Sequence, residues 1–122
     1  MPLFPDTPYE YSATGGGLVF TAGACPLDAE GNVVAPGDVE AQTEQAVENL
    51  LAALDEAGTS ARSLVKTTVY VASADRADLV RAWNVVSARL GRVPSTLLGV
   101  SALGWPNQLV EIEGIAIADR EP

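Results

Sequence analysis

Glu111 and Glu113 are the residues of this chain best placed to do chemistry, because of the side chains around them. They sit in Leu-Val-Glu-Ile-Glu-Gly-Ile-Ala-Ile-Ala, residues 109–118, a stretch whose aliphatic content reads as a β-strand. Successive side chains of a strand point to opposite faces, so Glu111, Glu113, Ile115 and Ile117 share one face and Val110, Ile112, Gly114 and Ala116 the other. An ordinary half-buried strand separates its charges from its branched aliphatics; this one mixes them. A carboxylate sealed among aliphatic groups without a partner is costly or holds a proton. That cost is avoided where the end of such a face opens into a wet cleft.

Composition limits the chemistry further. The 122 residues carry seven basic and sixteen acidic side chains, a formal charge of −9, with no histidine and one cysteine, Cys25. Phosphate backbones are held by clustered Lys and Arg, so nucleic acid is not expected as a partner. Without histidine, and with a single cysteine, neither a zinc site nor a Ser-His-Asp or Cys-His arrangement can be assembled. Carboxylates, hydroxyls, amides and backbone groups remain. No apolar run approaches the roughly 20 residues of a membrane helix, and "MPLFPDTPYEY" lacks a signal-like core, so the expectation is a cytoplasmic protein with no membrane partner. The unpaired cysteine fits a reducing compartment.

The elements that must position the carboxylates follow from patterning. "PYEYSAT" (8–14) alternates like a strand, "GGG" (15–17) turns it, and "LVFTAG" (18–23) returns as a buried strand. Turn signals fill residues 25–38, leaving at best a short strand at Val33–Val34. Asp38 caps a helix running to about Ala57, stopped by Gly58, with Val39, Ala46, Leu50, Ala53, Leu54 and Ala57 inward and Glu40, Glu44, Glu48 and Asp55 in water. Residues 63–73 read as a strand. A second helix, capped at Ser73 or Asp75, runs to about Leu90 before Gly91, with Leu79, Trp83, Val86 and Leu90 as its stripe. Strands at 95–103 and 109–118 close the chain around the turn "GWPNQ". The order β-β-α-β-α-β-β predicts one α+β domain over residues 1–122: a two-layer fold, a mixed sheet with two helices on one face. Neither parity of Leu64–Val71 is a clear water face, which points to a partner chain covering the sheet's far side.

Taken together in this order, "PYEYSATGGGLVFTAGACP", "AQTEQAVENLLAALDEAG" with "SLVKTTVYVA", "AWN" and "LVEIEGIAIA" make the chain resemble the reactive intermediate deaminase (RidA/YjgF) family nearly end to end. The resemblance implies a bacillus-type chorismate-mutase-like fold assembled as a homotrimer, its sheets forming a central barrel and small-molecule clefts lying between subunits. It implies cofactor-free hydrolysis of enamines or imines such as 2-aminoacrylate to a carbonyl compound and ammonia. Glu111 matches the residue that manages the attacking water, while Glu113 matches a commonly acidic position. Tyr9, Cys25 and Asn84 match positions around the cleft. Their ordinary readings are a half-buried packing ring, a small thiol with no local cation to activate it, and a solvated helix amide.

The sequence departs from the family pattern at the substrate anchor. Archetypal members carry an arginine in the strand before the last, forked onto the substrate carboxylate. Here the stretch is "GRVPSTLLGV". Counting from Gly99-Val100 puts Ser95 at that position, and counting from Pro94 puts Thr96 there. A family serine falls on Ala22 and a family cysteine on Leu97. The expected ligand cleft therefore comprises Tyr9, Ala22, Cys25, Asn84, Ser95, Thr96 and Leu97 around Glu111. The expected substrate is one other than 2-aminoacrylate, unless Arg89 or Arg92 supplies the missing charge. A non-catalytic trimer that binds a metabolite or holds other proteins is the alternative.

Overall fold

Gly16 and Gly17 both take positive φ, +60° and +78°, the geometry that a two-residue type I′ hairpin turn requires. They join β1 (Ser12–Gly15) to β2 (Leu18–Thr21). The computed structural model describes residues 2–118 and continues with α1 (Val39–Glu56), a short 3₁₀ turn at Ala61–Ser63, β3 (Leu64–Val71), α2 (Arg76–Leu90), β4 (Ser95–Gly99) and β5 (Val110–Ile117). The five strands form one mixed sheet in the order β1-β2-β5-β3-β4. β5 runs antiparallel to both neighbours, and β4 pairs parallel to β3 after the α2 crossover. This is the predicted element order and the predicted two-layer α+β fold.

Helix boundaries agree with the capping signals. The Asp38 carboxylate accepts from the Ala41 amide at 3.0 Å, and the Asp75 carboxylate caps α2 through the Ala77 amide at 2.9 Å. Strand boundaries agree less well. The first strand begins at Ser12 and not at Pro8, because the preceding segment makes local bonds: the Thr7 hydroxyl donates to the Tyr9 carbonyl and the Tyr11 hydroxyl to that of Phe4. β4 ends at Gly99, and Val33 contributes only an isolated bridge to Leu27.

Two irregularities shape the sheet. At the start of β3 the register skips Val65, which is exposed, so Leu64 joins Thr67, Val69 and Val71 on the helix side. Strict alternation from the sequence would have put Leu64 on the opposite face. Between β2 and β5, Phe20 pairs with Ile115 and Ala24 bridges Ile112. Four steps on one side thus span three on the other, and one residue bulges out at Thr21–Gly23. The Thr21 hydroxyl fills the interrupted ladder by accepting from the Gly114 amide at 2.9 Å.

The core lies between the helices and one sheet face. Ala46, Val47, Leu50 and Leu54 of α1 and Val19, Val69, Val71, Val110, Ile112 and Ala116 of the sheet are sealed completely. Three polar side chains of α1, Gln42, Thr43 and Asn49, are buried with them. On α2, Ala82, Val85 and Val86 are buried, while Leu79, Trp83 and Leu90 are only partly covered. The opposite sheet face is open. Phe20, Leu98 and Ile117 on it are 45%, 42% and 49% exposed, values unusual for large apolar side chains grouped on one surface.

Candidate functional site

Glu111 is the second residue of β5, on the open face opposite Tyr70. The β2 bulge lies beside it, and there a crevice of about 240 Å³ is lined by Tyr9, Ala22, Gly23, Cys25, Gly104, Trp105 and Glu111. Gly23 makes room for the carboxylate: a Cβ at Gly23 would stand 2.0 Å from Glu111 Oε2. Any larger residue would therefore push the carboxylate aside.

The two oxygens of Glu111 have different surroundings. Oε1 accepts from Gln108 Nε2 at 3.1 Å and from the Cys25 thiol at 3.5 Å. Cys25 Sγ also lies 3.5 Å from the Gly23 carbonyl and 3.9 Å from the Tyr9 hydroxyl. Burial, and next the negative charge of Glu111, push the Cys25 thiol up to about 12. The sulfur thus keeps its proton at neutral pH and is a donor, not a nucleophile. Burial likewise raises the Tyr9 phenol to about 12, with the Cys25 sulfur adding to the shift and a hydrogen bond from the Trp105 side chain opposing it. Tyr9 and Trp105 together give the crevice aromatic walls.

Buried amides of α1 hold the crevice walls. Asn49 Nδ2 donates to the Cys25 and Leu27 carbonyls at 2.8 and 2.9 Å, fixing the loop that carries the thiol. Two turns earlier on the same face of α1, Gln42 Nε2 donates to the Asn107 carbonyl at 2.9 Å, and its Oε1 accepts from the Leu109 amide at 2.7 Å. The loop that carries Trp105 is thereby tied to the same helix. Asn107 takes φ +66° in that loop, a conformation asparagine tolerates better than most residues.

Of the sequence-predicted residues, the fold brings together Glu111, Tyr9, Ala22 and Cys25. Asn84 is exposed on α2 and does not line this crevice within one chain. Ser95 and Leu97 face the helix layer, where Ser95 accepts a 2.7 Å bond from the buried Thr67 hydroxyl. Thr96 lies on the open face with Glu111, two strands away, and accepts from Lys66 Nζ at 2.6 Å. Glu113 accepts from the Tyr70 hydroxyl at 3.1 Å. Arg89 is engaged elsewhere, bridging α2 to Glu44 and Glu48 of α1, and Arg92 lines a separate depression beside Trp83 and Pro94. Gly23, Gly104, Trp105 and Gln108 were not singled out from the sequence. A tryptophan in the short turn "GWPNQ" was the available signal, since a large ring in a turn needs something to cover. A broader depression of about 690 Å³ lies among Ser73, Arg76, Gly99 and Ser101, but no carboxylate or thiol lines it. The smaller crevice, in contrast, brings a carboxylate, a thiol and a phenol together.

No group of three or more His, Cys, Asp or Glu side chains among the described residues could hold a metal ion, and no helix among them is long and apolar enough to cross a membrane.

Fold and crevice define a class: small α+β proteins with helices on one sheet face, an open apolar second face, and a carboxylate from the last strand in a crevice at a sheet bulge. The family model described as Endoribonuclease L-PSP matches residues 3–118, and the chain belongs to that family, the RidA/YjgF family it resembles in sequence. It is 34% identical over 113 residues to a RutC family protein of Pyrococcus abyssi, covering 92% of this chain and 87% of that one. It is also 41% identical over 64 residues to the 2-iminobutanoate/2-iminopropanoate deaminase of Salmonella typhimurium, over 52% of this chain and 49% of the relative. The solved structure of RidA from an Antarctic Psychrobacter superposes with a TM-score of 0.79 at 28% identity, covering 92% of this chain and 89% of that one.

Proposed function

We infer that the protein hydrolyses a small reactive imine or enamine to a carbonyl compound and ammonia, with Glu111 as general base. The observation that carries this reading is the Glu111 carboxylate itself, the only charged group among the described residues that line an aromatic-walled crevice, with one oxygen hydrogen-bonded and the other left for water. The relative named as an imine deaminase supports the same reaction class. Glu111 takes a proton from water as the oxygen bonds to the C=N carbon, and the π electrons move to nitrogen, which takes that proton from Glu111. Glu111 then accepts the hydroxyl proton and passes it to nitrogen as the C–N bond breaks, and carbonyl and ammonia leave. The raised values keep Cys25 and Tyr9 protonated at neutral pH, as hydrogen-bond donors, and leave nucleophilic attack to water.

Among the described residues no cation lines the crevice, and residues 93–99 contain no arginine. A substrate carboxylate there would face Glu111 without a counter-charge, so the preferred substrate is an imine without one. A bidentate guanidinium pair contributes about 1.5–3 kcal/mol, so its loss weakens binding of carboxylate-bearing imines by roughly tenfold to a hundredfold. The open face carrying Phe20, Leu98 and Ile117 supports assembly as a homotrimer, in which Thr96 and Asn84 of a neighbouring protomer would complete the cleft. The same missing cation favours the second reading, a metabolite-binding trimer without turnover. The family's endoribonuclease description suits this chain less: a net charge of −9 with no histidine offers neither a phosphate patch nor the usual acid–base pair.

An ammonia-release assay on enzymatically generated imines with and without a carboxylate tests this reading. Turnover of the uncharged imines, well above that of the carboxylate-bearing ones, is expected. Binding of either class without ammonia release would establish the second reading instead.

A further inference from the structure

The geometry assigns to Gln108 the role of positioning residue for Glu111, dividing the labour of its two carboxylate oxygens; this rests on the reading of Glu111 as the base. Gln108 is 4% exposed, and every polar atom of its side chain is used. Its Oε1 accepts from the Trp105 amide at 3.1 Å, and its Nε2 donates to the Val110 carbonyl at 3.0 Å and to Glu111 Oε1 at 3.1 Å. These partners fix the amide's orientation. Flipped, it would turn its oxygen toward the Val110 carbonyl and the Glu111 carboxylate and its NH₂ toward a backbone N–H, leaving like groups facing one another.

Gln108 and the Cys25 thiol both hold Oε1, so that oxygen's lone pairs are directed away from substrate. Oε2 packs over Gly23, whose missing side chain leaves room for it, and the hydrogen bonds from Gln108 and Cys25 leave it unengaged. Oε2 is therefore the oxygen that accepts the proton from water, and the tether to Oε1 holds it in line. Gln108 also links the two halves of the crevice, because the same amide that aims the base secures the backbone of Trp105 in the opposite wall.

Two substitutions separate these duties. Gln108→Leu removes both. Gln108→Glu keeps an acceptor for the Trp105 amide and replaces the NH₂ that faces Glu111 Oε1 and the Val110 carbonyl. At neutral pH both variants are expected to lower kcat for the preferred imine at least tenfold while changing KM less than threefold. Neither is expected to lower activity further when combined with Glu111→Gln. An unchanged kcat in Gln108→Glu, or an equal further loss in the Glu111→Gln background, would overturn the assignment. A second measurement needs no turnover: the side-chain NH₂ resonances of Gln108 in ¹⁵N-labelled protein should move on Glu111→Gln and stay in place on Glu113→Gln. Resonances indifferent to Glu111 would refute the tether. If no imine yields ammonia, the functional reading fails, and the NMR result alone decides whether Gln108 holds Glu111.

Discussion

At the scale of single residues, the crevice depends on what surrounds one carboxylate. Gly23→Ala would place a methyl group 2.0 Å from the present position of Glu111 Oε2. The end of that side chain can swing away, so little change in melting temperature is expected, together with a clear fall in ammonia release; equal loss of both would mean the glycine is needed for folding alone. The thiol offers an independent check. Burial and the Glu111 charge raise Cys25 from its ordinary 9.0 to about 12, so thiolate absorbance should appear only near pH 12, and Glu111→Gln should bring the midpoint down. The folded state then binds a proton that the unfolded state has released between those values. The contribution is full below pH 9.0 and is lost as pH rises toward about 12, so urea stability should fall across that window, and less so in Cys25→Ser. Glu111 was legible in the sequence because two carboxylates on an aliphatic strand face break an alternation. Gln108 was not, because a glutamine in a turn reads as solvated until the fold buries it.

At the scale of elements, caps and periodicity located both helices to within a residue or two, since Asp38, Gly58, Asp75 and Gly91 act through local backbone geometry. What the sequence concealed were the departures from regularity. A bulge leaves no signature in alternation, so the skipped Val65 and the extra residue between Phe20 and Ala24 become visible only through pairing with β5. The second bulge is the one that opens the crevice. Gln42 and Asn49 were equally hidden, being polar residues on the face of α1 that packs inward. Replacing Gln42 by Leu strands the Leu109 amide and the Asn107 carbonyl in a dry setting, and a loss of about 1–3 kcal/mol is expected in urea unfolding. Because the Trp105 loop hangs from that amide, Gln42→Leu should also depress ammonia release. A stability loss with full activity would show that the helix does not set the crevice.

For the whole molecule, a sheet with helices on one face leaves Phe20, Leu98 and Ile117 to be covered by something. The two-sided apolar character of the sheet was readable from the sequence. Which residues of a neighbour reach the crevice was not, since that depends on surfaces no single-chain pattern encodes. If three copies share those faces, Phe20→Asp should shift the mass measured by light scattering from trimer to protomer and abolish ammonia release, since the cleft would lose its second wall. Retained activity in a solitary protomer would place the complete site within one chain. The central claim, that Glu111 is the base of a water-dependent deamination, is tested most directly by single-turnover ammonia release from the preferred imine. Wild type, Glu111→Gln and Cys25→Ser would be compared at equal folded concentration. The account predicts that Glu111→Gln loses at least a hundredfold, while Cys25→Ser stays within a few-fold of wild type. Undiminished release by Glu111→Gln, or a collapse confined to Cys25→Ser, would contradict it.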